Sequence, residues 1–492
     1  MSMRVGAPTP GGQLVHGARR GPPPGLNVRR GGKQRRAKKK NSNLRKVVLV
    51  VAIAFLFVFT PAEERISNQL EKWLDDLLDE FGPAREYPVH AVYTVERQVN
   101  LGPNLHQTAT FNYELPIPAL RSDFGIEDSG FTRQDGTVIP VVALQEVVNM
   151  VAYIDGTSNN VSIPLNNEYL LGSEAIALDS NSEIFWPPIG GNSDRCSVTK
   201  CAIWRGEIPA GQILTLKIKY DVVASSFSWW GGERAPDKAP KSQYGFSMHD
   251  GNAGTYDDYD RSGRLDTMYD QFGAHKLWYD RSTSEGTSNW AIDGLDSNVI
   301  ELADEIQSSL DASESDSPYS FAHAAFIKIR DSIVYSAGLT GTARSGPACI
   351  LDGRGDCDEQ SNAWMSLLRT RNIPAWYEFG PMTSGEFGAW EAHAWANAIF
   401  PFDEEWCNEN DIELSSCFVE GEVDVVNNRW LLHTPTTLTE WIEDPSNLGQ
   451  AAYDFYRPLS ISCSFCWTES WETIGEPQIT GGTYRVPVRI GE

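Results

Sequence analysis

Basic residues are scarce in most of this chain. The first 46 residues hold 13 of its 41 Lys and Arg and none of its 66 Asp and Glu, which leaves 28 basic against 66 acidic residues for the remainder. A body so acidic repels phosphodiester and anionic lipid surfaces, so no nucleic acid is expected as its partner. A solubilising surface accounts for the acidity, which is therefore no sign of function. Histidine is sparse as well, with eight in 492 residues, and no second Cys or His pair stands at metal spacing from Cys463-Ser464-Phe465-Cys466, which argues against zinc. Apolar runs are short: Val47 to Thr60, even extended by Pro61-Ala62, reaches only about 16 residues.

That run nevertheless organises the N-terminus. Residues 1–46, with Pro22-Pro23-Pro24, Gly31-Gly32 and the basic cluster Lys33 to Lys40, cannot bury a core and are read as a disordered cytoplasmic tail. Arg45-Lys46 directly before the run sets the orientation, N-terminus inside. Residues 47–62 are read as an uncleaved signal anchor; the competing reading is a signal-peptide core, but Thr60-Pro61-Ala62 is a poor cleavage site and the leader is long. In 63–84, Ile66, Leu70, Trp73, Leu74, Leu77, Leu78 and Phe81 recur at helical spacing until Gly82-Pro83, which predicts a juxtamembrane amphipathic helix.

From 85 to 226 the pattern changes to short alternating segments such as His90 to Val95, Thr108 to Leu115, Gln145 to Ile154 and Leu214 to Val222, separated by Gly, Pro and Asn. A β-sandwich is the economical reading. It carries no catalytic constellation, and His90 and His106 stand alone as ordinary histidines. Asn160-Val161-Ser162 is a glycosylation sequon, sensible on an outward face. Residues 227–295 are Gly-, Asp-, Tyr- and Trp-rich with weak periodicity and are read as a connecting region. Within it Asp258, Asp260, Ser262 and Asp266 occupy positions 1, 3, 5 and 9 of a calcium-type loop with Gly263 at 6, although position 12 is Tyr269. A calcium site there competes with a solvated acidic turn. Two helices, Ser297 to Leu310 and Ser320 to Tyr335, lead into a core at 296–445, with His323 structural; 446–492 is a C-terminal β extension.

The core is organised around Gly355-Asp356-Cys357-Asp358-Glu359-Gln360, which opens an apolar-periodic helix. Asp356 as N-cap with Glu359 three residues on is a capping-box spacing that starts the helix at the cysteine. Unpaired backbone N–H groups and the helix dipole favour a thiolate there, whereas Asp356, Asp358 and Glu359 raise the thiol pKa, so a nearby imidazolium is needed to hold the thiolate. Eight cysteines in an exported body suggest disulfides. Cys196–Cys201, Cys407–Cys417 and Cys463–Cys466 are local pairs, leaving Cys349 and Cys357; a bridge between those two would silence the nucleophile.

Cys357, Leu367-Leu368-Arg369 and Ile373-Pro374-Ala375, followed by His393-Ala394-Trp395 and Trp430 to Thr436, resemble the transglutaminase-like superfamily over about 300–440. The resemblance implies an α+β fold: a transglutaminase-like (papain-like) core, here behind an N-terminal β-sandwich and membrane anchor. It also implies a Cys/His pair that forms a thioester, with the Cys357 N–H as oxyanion donor, and no required cofactor. His393 is the candidate base, since imidazole both takes the thiol proton and returns it to the leaving amine. It shares a strand face with Trp395 and Asn397. The family's acid position holds Thr434, whose hydroxyl could accept the ring N–H; Asp424 or Glu391 could substitute, and His433 points to the opposite face of a regular strand. The expected function is a membrane-anchored, extracytoplasmic cysteine enzyme acting on protein or peptide amides, hydrolysis favoured over crosslinking. The rival is a degenerate domain serving as a cell-surface binding module.

Overall fold

The computed structural model describes residues 84–102, 107–116, 118, 121–122, 130–163, 175–185, 201–231, 239–241, 244–262, 280–282, 290–336, 344–442, 459–460 and 467–488. All lie in one compact unit, Lys72–Glu492. The readings made for 1–46 and for the anchor at 47–62 fall outside the described residues, as does all of the juxtamembrane helix except Ala84, which opens a strand. Among the described residues no helix is long and apolar enough to cross a membrane.

The strand Leu214–Ser225 shows how the first half is built. Leu214, Leu216, Ile218, Tyr220, Val222 and Ala224 are buried while the residues between them, Lys217 and Lys219 included, are partly exposed, the period-2 pattern of a sheet with one covered face. It pairs antiparallel with Ala84–Leu101, from His90 opposite Ser225 to Leu101 opposite Leu214. The chain returns at its end to line the other edge of that strand with Trp467–Pro487. A second sheet, centred on Ala109–Pro116 and Cys201–Ile208, shares an apolar core with the first: Val95, Val99, Tyr113, Leu115, Trp204 and Leu216 all sit in it. Asn160 of the sequon is exposed, and His90 bonds Ser225 at 2.8 Å as an ordinary strand histidine.

The second half is a five-stranded antiparallel sheet with helices on one face. Its strands run Arg429–Trp430, Phe418–Asp424, Trp390–Pro401, Ala375–Thr383, Trp441–Ile442. The helix Cys357–Arg369 lies on the side where Ala394, Ala396, Ala398 and Phe400 form a buried row. Small alanines let the helix approach closely, and Trp364 fills the space beside them, its indole N–H donating to the Ala322 carbonyl at 3.0 Å. The helix ends where Asn372 adopts φ 57 and the Ile373 N–H closes back on the Leu368 carbonyl at 3.1 Å; Asn tolerates the left-handed conformation that such a stop requires.

Three expectations are corrected. The second supporting helix begins at Pro318, capped by Ser317 with Pro at its favoured first position, and stops at Ser332; Val334–Tyr335 is instead a strand pairing with Arg354–Gly355. Residues 227–295 are not merely a connection, since Trp229, Trp230, Met248 and Tyr259 belong to the second core. The calcium loop is not a loop over its first positions: Asp258, Asp260 and Ser262 lie within the helix Tyr256–Ser262. Asp258 spends its carboxylate on the Thr255 N–H and hydroxyl at 2.7 and 2.8 Å. Asp266 lies outside the described residues, among which no cluster of three or more metal-type side chains occurs.

Candidate active site

Cys357 is the first residue of its helix, and both halves of the capping box at Asp356 and Glu359 are present. Gly355 makes the approach possible, because a Cβ there would stand 2.5 Å from the Cys349 sulfur. Glu359 is anchored in turn by Arg344, Nε to Oε1 at 2.9 Å. Cys357 is half-buried and free. Its sulfur takes a hydrogen bond from the backbone of Ala394, the residue after His393, which ties the nucleophile to the histidine's strand.

His393 is buried, and its Nε2 lies 2.8 Å from Asp424 Oδ2. A carboxylate only accepts, so Nε2 carries the proton and Nδ1 is the basic nitrogen. The Trp395 ring lies against the imidazole, centroids 5.9 Å apart and planes 23° from parallel. Burial works against an ionised Asp424, but the charges of His393 and Arg429 outweigh it and hold the carboxyl well below the usual range. Asn427 adds its Nδ2 to the same oxygen at 2.6 Å and its backbone N–H to the other at 3.1 Å.

Thr434 does not touch His393. Its hydroxyl accepts from Arg429 Nη1 at 2.7 Å, and the partner of the imidazole is Asp424, one of the two carboxylates considered from sequence. Glu391 is exposed. His433 is not turned away from this side of the sheet: Leu431 at φ 45 interrupts the strand, and His433 Nδ1 meets Glu422 Oε1 at 2.6 Å. His323 sits among Tyr319, Phe326 and Trp430, a structural histidine.

From sequence, the helix start favours a thiolate while the neighbouring carboxylates raise the thiol pKa. In the structure burial, then the charges of Asp358 and Asp356, prevail and push the Cys357 thiol well above its ordinary value, with the Ala394 backbone pulling the other way. Asp356 is itself pushed up to about 8 by burial and by its hydrogen bond to Asp358, so near neutral pH one proton is held beside the thiol. Such a thiol rests protonated and ionises as a base takes its proton. Cys349 is inert by comparison, buried and pushed up to about 12. Tyr335, assigned to a helix end from sequence, lies in the field of Cys357, Asp356, Glu391 and Asp358, and after burial these charges push its phenol up to about 12. Cys407–Cys417 is a disulfide, and Cys201 is disulfide-bonded.

A free cysteine at a helix start, tied through its sulfur to the backbone next to a buried histidine that itself meets an acid from the neighbouring strand, is an arrangement suited to a cysteine nucleophile. Residues 302–410 match the model of the transglutaminase-like superfamily. Among solved structures the chain is similar to a protein from Cytophaga hutchinsonii assigned as a cysteine protease, with 12% identity over 81% of this chain and 93% of that one and a TM-score of 0.39. A protein from Parabacteroides distasonis assigned as a protease is similar at 8% identity over 61% and 62%, TM-score 0.18. No curated protein matches the chain.

Proposed function

We propose that this protein is a membrane-anchored, extracytoplasmic transglutaminase-like cysteine enzyme that opens protein or peptide amides through a thioester, with water as the usual acyl acceptor. The observation that carries the reading is the chain of contacts from the Cys357 sulfur to the Ala394 backbone, and from the neighbouring His393 to buried Asp424. In this scheme Nδ1 of His393 takes the thiol proton as sulfur attacks the carbonyl. The Cys357 N–H, unpaired at the helix start, receives the oxyanion. The imidazolium, held by Asp424, then protonates the departing amine, and a water deprotonated by the same nitrogen hydrolyses the thioester. Hydrolysis returns the enzyme without a second protein partner. No cofactor enters the scheme.

The outward placement is supported by Arg45-Lys46 ahead of the apolar run, by the sequon at Asn160 and by the Cys407–Cys417 disulfide. We read residues 85–226 as a β-sandwich bracing the catalytic sheet. A binding module remains the second reading, favoured by the carboxylates that hold the thiol protonated. Iodoacetamide labelling of the full chain separates the two. An enzyme labels selectively at Cys357 with a pH profile that disappears in His393→Ala; labelling no faster than at Cys349 and indifferent to that substitution would leave only the binder.

A further inference from the structure

Where the family carries its acid, this chain has Thr434, and the structure shows what the exchange accommodates. Arg429, fully buried, reaches Asp424 Oδ2 with both Nε, at 3.2 Å, and Nη2. Its remaining nitrogen, Nη1, donates to the hydroxyls of Thr434 and Thr437 at 2.7 and 2.5 Å. Those hydroxyls are linked to each other at 3.1 Å, and Thr434 also meets Thr436 at 2.9 Å. The Tyr87 ring, from the first strand of the other half of the molecule, lies 5.9 Å from the guanidinium carbon. An aspartate at 434 would draw the guanidinium toward itself; a threonine seats it without competing for its charge.

Resting on the thiol–imidazole reading above, we infer that Arg429 is a positioning residue of the active site: seated by Thr434 and Thr437, it fixes the Asp424 carboxylate in the orientation that His393 needs. The groups that face this carboxylate are His393 from the histidine strand, Arg429 from the strand beyond, and Cys357 from the helix start; Tyr87, Glu422 and Tyr484 face the guanidinium. Removing the guanidinium takes away one of the two cations that hold the Asp424 proton off. The carboxyl then titrates at higher pH, and below that point it no longer supports an imidazolium.

The test is the pH profile of Cys357 alkylation by iodoacetamide in Arg429→Met, Arg429→Lys and the double variant Thr434→Val/Thr437→Val. In Arg429→Met labelling should fall, and the deficit relative to wild type should be larger at pH 5 than at pH 8, because the Asp424 limb moves upward toward the acid end of that interval. Arg429→Lys should recover part of that pH dependence. The double variant, which keeps every charge, should move the limb the same way by less, and it carries the test if Arg429→Met does not fold. A deficit that is the same at all pH values, or a wild-type profile in the double variant, overturns the inference. If His393→Ala labels like wild type, the fault lies instead with the thiol–imidazole reading.

Discussion

The two faces of the catalytic sheet are built on opposite principles. Toward the Cys357 helix stand Tyr377, Phe379, Ala394, Ala396, Ala398, Phe400, Val419 and Val423, a dry surface packed against Trp364, Leu367 and Leu368. The other face carries Glu378, His393, Asn397, Glu420, Glu422 and Asp424, equally buried, under Arg121 and the segment Leu432 to Glu440. Gly380, opposite His393, admits that segment: a Cβ there would meet the Leu438 carbonyl. The apolar face fixes where the helix lies, and so where the sulfur is. Alternation along the strands then places the polar groups on the reverse side, where buried charge must be satisfied by partners or not be there at all. The candidate groups His393 and Asp424 are thus held by an ion network rather than by close-packed hydrocarbon.

Substitution on each face should break a different property. Asp424→Asn strikes the polar face at its junction with His393. Labelling of Cys357, measured at pH 7, should fall about 10²–10⁴-fold, the scale on which losing the acid of such a set acts. Because Arg429 would be left as an uncompensated buried cation, unfolding free energy should also drop by about 3–5 kcal/mol. Labelling within a fewfold of wild type would dissolve the distinction between the faces. Trp364→Ala strikes the apolar face. It should cost about 3–5 kcal/mol in denaturant unfolding while the pH profile of labelling in the folded protein keeps its shape. A changed profile there would mean that helix packing and the ion network are one device.

The start of the nucleophile helix was legible because its signals are local: Asp356, Cys357 and Glu359 lie within one turn and their chemistry is complete there. Strand parity likewise placed His393, Trp395 and Asn397 on one face. The acid was harder to read. Motif spacing pointed to Thr434, but the sheet brings Asp424 to His393 from 31 residues away, across a segment that holds the Cys407–Cys417 disulfide, and no local pattern encodes that pairing. Arg429 and Asn427 were missed for the same reason. The run Glu420-Gly421-Glu422-Val423-Asp424 alternates like a strand with one wet face, and composition alone cannot tell water from a buried layer of arginines. The calcium spacing meets a simpler difficulty: its first positions, Asp258 to Ser262, lie in a helix, and acidic residues at the start of a helix produce the same letters as a ligand loop.

Glu378 offers the finest test of the comparison, since it lies inside the polar face but outside the candidate catalytic set. Its Oε1 accepts from Arg121 at 2.7 Å and from Asn397 at 2.8 Å, and its Oε2 from Trp395 at 3.2 Å. Burial nonetheless pushes it up to about 7, with Arg121 opposing and Glu422 adding to the rise. The native state therefore binds this proton more tightly than the unfolded chain, whose value is about 4.3, and stability from this group declines as pH rises from about 4 to about 7. Glu378→Gln removes that slope, while Glu420 and Glu422, at 3.7 and 3.9 Å, remain as counter-charges for Arg121. Relative to wild type the variant should gain Tm between pH 5 and pH 8, by about 2–4 °C for each kcal/mol of slope removed. A variant that instead loses ground over that interval would show an ionised Glu378 that Arg121 requires, and the polar face would then be held by full charges throughout.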